Sequence, residues 1–105
     1  MIETVENQSD VLLEVGKRQK NQVPAMYRII LLNDDFTPMD FVVTVLKKYF
    51  GKSQQAAVDI MLTIHKTGSG VCGVFTKDIA STLVAKVIQF IKQAEYPLRC
   101  LMEKI

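Results

Sequence analysis

This chain has no tryptophan, one histidine and two cysteines, and each scarcity removes a class of function. With His65 alone and no CxxC pair, Cys72 and Cys100 lack the partners from which a zinc site is assembled. Both lie in apolar, strand-like runs, where cysteine behaves as a small buried hydrophobe. A Cys/His/Asp nucleophile is the sharpest enzymatic alternative, but neither cysteine stands at a helix N-terminus that would lower its pKa, and Arg99, next to Cys100, alternates to the other face of its strand-like run. No phosphate-binding glycine loop, paired metal ligands or nucleophile elbow occurs. The expectation is a protein that binds, with no catalysis, cofactor or metal of its own.

Charge of one sign is also missing. Thirteen basic residues against eleven acidic ones leave a formal net charge of +2, too little for a broad positive field, so nucleic acid is not the default partner. No run approaches the roughly 18 apolar residues that a membrane span needs. Residues 1–9 carry acids where a leader would carry a basic and then an apolar region, so the expected location is the cytoplasm. The first 25 residues hold no aromatic side chain and end near the basic cluster Lys17, Arg18 and Lys20. They read as a flexible arm, 1–25, before a folded core, 26–105.

What is present is a hydrophobic fraction of 49% in 105 residues, which suits one soluble domain. Periodicity divides the core into six elements. A buried strand is predicted over 26–32. A helix over 38–50 carries Met39, Val42, Val43 and Leu46 on one stripe and stops at Gly51; a second, over 54–66, is capped by Ser53 and carries Val58, Met61, Leu62 and His65. A strand over 70–76 contains glycines that imply close packing. Lys77 and Asp78 are read as a turn before the longest helix, 79–94, with Leu83, Val87, Phe90, Ile91 and Ala94 on its apolar face. Pro97 precedes a half-buried strand over 98–103. The order β-α-α-β-α-β predicts an α+β two-layer domain, a three-stranded antiparallel sheet with three helices on one face.

Function is expected where the first strand meets the first helix. Thr37 and Pro38 read as an N-cap followed by proline at the first helical position, with Asp40 as the capping-box acid. That does not explain why Asn33, Asp34 and Asp35 stand together before it. Turn chemistry is one reading, since Asn and Asp satisfy their own backbone. A cation site is the other: an ammonium group has three donors and no acceptor, and wants converging oxygens. Taken singly, His65 is a partly buried helical histidine and Met39 and Met61 are core filler. Together with the triplet, on helices that pack side by side, they describe a small apolar pocket with a polar mouth.

The strings YRIILLNDDFTPMDFVVTVL, IMLTIHKTGSGVCGVFTKDIA and YPLRCLMEKI, in that order, resemble the ClpS family of bacterial adaptors, which bring N-degron substrates to the ClpA unfoldase of the ClpAP protease. The resemblance covers the chain from Met26 onward. It implies that Asn33, Asp34 and His65, with Asp35 in the same mouth, bind the α-amino group of a substrate's first residue. It implies a side-chain pocket of Thr37, Met39, Val42, Met61, Ile64 and Leu98 for Leu, Phe, Tyr or Trp. It further implies a monomer that docks a ClpA-type AAA+ unfoldase near Asp78 and Leu83, with the arm engaging the unfoldase during delivery. Asp78 keeps an acid common in the family, whereas Leu83 stands where a lysine is often found, and Lys77 and Lys86 are the nearest basic residues. A small α+β assembly or RNA-associated protein is the alternative, marked by salt-dependent RNA binding.

Overall fold

The computed structural model describes residues 23–105. Most of the expected arm lies outside the described residues; Val23 to Ala25 carry no regular structure, and Val23 is largely exposed. The elements are β1 (Met26–Leu32), α1 (Met39–Phe50), α2 (Gln54–Thr67), β2 (Ser69–Thr76), α3 (Lys77–Ala94) and β3 (Arg99–Lys104). The sheet order is β2-β1-β3 with both pairings antiparallel. This is the α+β architecture expected, with the earliest strand at the centre.

The central strand alternates. Ile29 and Leu31 are fully buried while their neighbours are partly exposed, so one face of the sheet meets the helices and the other does not. The core gathers Ile29 and Leu31 with Val42, Val45 and Leu46 of α1, Ala57 and Ile64 of α2, and Ala80, Val87 and Ile91 of α3. Phe41, Tyr49, Phe90 and Tyr96 close the α1–α3 side: Phe41 stacks on Phe90 at 5.3 Å and meets Tyr96 edge-on at 4.7 Å, contacts within the favourable aromatic range.

Several local expectations change. Thr37 is not the cap of α1. Pro38 holds that position with extended backbone and no side-chain cap, and its carbonyl accepts from Phe41 and Val42. Thr37 has turned its hydroxyl to Asp34 instead. Lys77 and Asp78 form the first turn of α3, because Thr76 is already the extended residue before a helix and the strand runs straight into it. In α2 the buried face is Ala57 and Ile64, with Ile60 and Met61 packed against the core, while Leu62 faces solvent. Asp40 lies in the first turn, but Pro38 has no N–H for a capping box to satisfy. Two signals hold: Ser53 Oγ accepts from Ala56 N at 3.2 Å, and Gly51 ends α1 in the left-handed region at φ 62°.

β2 carries a bulge. Gly73 faces Ile29 and Val71 faces Ile30, which leaves Cys72 as the extra residue, turned to the core at 1% exposure. Gly70 explains the close approach read from sequence: a Cβ there would stand 2.6 Å from Ile64 Cγ1 and 3.4 Å from Ile60 Cγ2. Ile64 is itself enclosed, so α2 would have to shift. Gly70→Ala is expected to destabilise the domain by about 1–3 kcal/mol, the usual cost of overpacking, read as a lower urea midpoint. A change under about 0.5 kcal/mol would show that α2 yields freely.

Candidate functional site

Three short-range features assemble the site. β1 ends at Leu32, and the next N–H, that of Asn33, donates to the Gly68 carbonyl at 2.9 Å. This fastens the polar triplet to the end of α2, three residues from His65. The loop then turns on Asp34. Its Oδ1 accepts from Phe36 N at 2.8 Å and Thr37 N at 2.7 Å, and its Oδ2 accepts from the Thr37 hydroxyl at 2.7 Å. Turn chemistry is therefore real, and it occupies three of the roughly four acceptor sites of the carboxylate. One site remains. Burial pushes the Asp34 carboxyl up, but the hydrogen bonds from the Thr37 hydroxyl and the Phe36 and Thr37 N–H groups outweigh it and hold the pKa below its ordinary value. Asp34 is thus a fixed anion at neutral pH.

Asn33, Asp34, Asp35, Thr37, Met39, Val42, Met61 and His65 line one cavity of about 200 Å³. The triplet and His65 supply its polar rim, and Met39, Val42 and Met61 its apolar wall. His65 is exposed at the rim rather than partly buried along the apolar stripe, because the core side of α2 is set by Ala57 and Ile64. Two expected pocket residues do not reach the cavity. Ile64 and Leu98 are 2% and 6% exposed and belong to the core: Ile64 is turned toward Gly70, and Leu98 lies just ahead of β3 on its inward side. Phe36, which sequence reasoning did not single out, stands 79% exposed beside the cavity; a large aromatic among loop residues was the available signal.

The two cysteines are buried in the core and do not line this cavity. Burial, with the neighbouring Cys100 second, pushes the Cys72 thiol up to about 12, and burial pushes Cys100 to about 11. Neither forms a thiolate near neutral pH, so a Cys/His/Asp nucleophile finds no support. Among the described residues, no three His, Cys, Asp or Glu side chains converge in a way that could hold a metal ion, and no helix is long and apolar enough to cross a membrane.

A second surface feature involves the residues expected to dock a partner. Asp78, Ile79, Thr82 and Leu83 line an open depression of about 340 Å³ on the first turns of α3. Ile79 is 53% exposed there. Lys77 opens the same turn, and Lys86 lies instead on the face toward Tyr49 and Phe90.

Comparison with known proteins gives these features a context. Residues 22–101 match the family described as ATP-dependent Clp protease adaptor protein ClpS. The ATP-dependent Clp protease adapter proteins ClpS of Burkholderia cenocepacia strain HI2424 and Burkholderia vietnamiensis strain G4 are each 52% identical over 99 residues, covering 94% of this chain and 94% of the relative. Among solved structures, Agrobacterium tumefaciens ClpS2 bound to L-phenylalaninamide superposes with a TM-score of 0.76 at 38% identity, covering 79% of this chain and all of that one. This is a family of adaptors and not of enzymes, which sets aside the hydrolase and RNA-associated readings. The chain belongs to the ClpS family, and its partner is the Clp protease.

Proposed function

We propose that this chain recognises N-degron substrates by the free α-amine and bulky apolar side chain of their first residue, and delivers them to a ClpA-type AAA+ unfoldase of the ClpAP protease. One observation carries the reading: a single small cavity joins a rim of oxygen acceptors, one of them a held anion, to an apolar wall. An ammonium group would donate to the Asn33 side-chain oxygen, to the remaining acceptor site of Asp34 and to a neutral imidazole nitrogen of His65, with Asp35 adding negative potential. The side chain would descend between Thr37, Met39, Val42 and Met61, with Ile64 and Leu98 behind as support. An internal peptide nitrogen has one donor and no charge, so this arrangement reports a chain end. The relative from Agrobacterium tumefaciens is bound to L-phenylalaninamide, a molecule with a free α-amine, a Phe side chain and an amide where a peptide would continue.

The direct test is calorimetric titration with a short peptide beginning in Phe, once free and once N-acetylated. Binding is expected for the free peptide alone. Equal affinity for both would contradict the amine site, because acetylation removes the charge and leaves the side chain.

Delivery rests on the α3 depression, where exposed Ile79 beside Asp78 and Leu83 offers an apolar contact with an acid at its edge, and on the arm. The chain acts as a monomer in this reading. Deleting residues 1–20 is expected to leave peptide affinity unchanged and to slow degradation of an N-degron reporter by the protease at least fivefold; full-rate degradation would exclude a delivery role for the arm.

A further inference from the structure

The exposed face of α3 that holds the docking depression continues beyond it. Asp78, Ile79, Thr82 and Leu83 are followed at spacings of three and four by Lys86, Gln89, Phe90 and Gln93. These residues therefore share one side of the helix, opposite the buried Ala80, Val87 and Ile91. The face changes character along its length of about 22 Å. Its first half is apolar with an acid at the edge. Its second half is a groove of about 280 Å³ against the end of α1, lined by the last four of these residues and Tyr49.

Charge at this groove has one sign. α1 and α3 each carry a single acid, Asp40 and Asp78, and both stand in the first turn; beyond the first turns the charges are Lys47, Lys48, Lys86 and Lys92. Lys47 is turned away toward α2, where it donates to the Gln54 side-chain oxygen at 2.8 Å. Lys48 is held at the groove instead. Its ammonium lies 4.4 Å from the ring centre of Phe90 and 5.5 Å from that of Tyr49, within cation–π range. The two rings stand 5.4 Å apart and are only half-buried. A partly open aromatic floor inside a polar rim has the composition of a protein interface.

We propose that this groove is a second contact for the Clp partner and takes an acidic, extended segment of the unfoldase. Carboxylates of the segment would meet the ammonium groups of Lys48 and Lys86. The amides of Gln89 and Gln93, each with donors and an acceptor, would pair with its backbone, and the rings give its apolar side chains a floor. A groove with two ammonium groups, in a chain of net charge +2, supplies little of the counterion release that nucleic-acid binding draws on. The proposal rests on the reading that α3 docks the unfoldase, and adds an electrostatic contact to the apolar one. Exposed charges act mainly by steering, so this contact sets how fast the adaptor is captured and how strongly capture depends on salt.

The test passes the full chain over an immobilised ClpA-type unfoldase and follows binding by surface plasmon resonance at low and at high salt. Lys48→Glu combined with Lys86→Glu is expected to lower affinity about tenfold or more at low salt, chiefly through slower association, and to flatten the salt dependence. Lys48→Arg combined with Lys86→Arg should stay within about twofold of wild type. Unchanged affinity in the Glu pair overturns the proposal, and so does an equal loss in the Arg pair, which would make the lysines packing residues. Ile79→Asp separates this contact from the docking depression. Loss of binding in Ile79→Asp beside an unaffected Glu pair keeps the depression and removes the groove; the reverse pattern keeps the groove and removes the depression. The Glu pair should bind a free Phe peptide as wild type does; loss of that binding as well would make the lysines structural and overturn the assignment. Capture of a labelled RNA oligonucleotide that the Glu pair loses, with unfoldase binding intact, would give the groove to phosphate and overturn it too.

Discussion

Asp34→Asn is expected to reduce affinity for a peptide with a free N-terminal Phe about 10- to 100-fold while leaving the fold close to wild type; Asp34→Ala should lose both. The two variants separate the two roles that the structure gives one carboxylate. Asn keeps an oxygen for the Phe36 and Thr37 N–H groups, and its amide can donate to the Thr37 hydroxyl, so the turn persists. What Asn cannot supply is the negative charge, and a hydrogen bond to a charged group is worth about 1.5–3 kcal/mol. Ala also abandons two backbone donors and the hydroxyl in a partly buried loop, with a further cost of about 1–2 kcal/mol, as for loss of a helix cap. Titration calorimetry and urea unfolding on both variants give the comparison. Wild-type affinity in Asp34→Asn would remove the anion from the account.

The pH dependence of that stability has a definite sign. The Asp34 carboxyl is held below its ordinary value of 3.8, so its ionised form is the one the native state favours. Its stabilisation is fully present above the unfolded-state pKa and is lost as pH falls through the lower, folded one. The advantage of wild type over Asp34→Ala should therefore be constant from neutral pH down to about 5 and shrink only below about 4.

Met39→Ala is expected to convert rejection of Ile and Val at the first substrate position into binding, raising affinity for those peptides about tenfold or more while changing that for Phe less than about fivefold. Met39 stands one residue after Pro38 at the start of α1, lines the cavity and is 45% exposed, so it is a rim residue whose removal leaves no sealed void. In the proposed pose it lies beside the ligand's own Cβ. A branched Cβ overpacks there, at a cost of about 1–3 kcal/mol, and trimming Met39 removes the clash with only part of the contact area. Four peptides that differ only in the first residue, Leu, Phe, Ile or Val, measured on wild type and variant, decide it. A uniform loss across all four would make Met39 general packing and not a filter.

Much of this protein was legible in the chain because local physics dominates there. The six elements, the Ser53 and Gly51 punctuation and the α+β class follow from periodicity and capping, which depend on near neighbours. The candidate site was legible for the same reason: Asn33, Asp34, Asp35, Thr37, Met39 and Val42 lie within ten residues, and any helix start after that strand brings them together. Other features depend on which elements become neighbours, and sequence spacing does not carry that information. The Asn33 to Gly68 hydrogen bond, between residues 35 positions apart, brings His65 to the triplet. Ile64 packs against Gly70 and belongs to the core, while His65, the next residue of α2, stands at the rim. Leu98 keeps its apolar character but turns inward with β3. The carboxylate of Asp34, equally able to cap a turn or meet a cation, took the turn and kept one acceptor free, and that outcome depended on the three-dimensional course of the loop. The placement of β1 at the centre of the sheet, with its outward Ile30 and Leu32 on an apolar row, was likewise a matter of strand pairing, because alternation along one strand does not say what lies beside it.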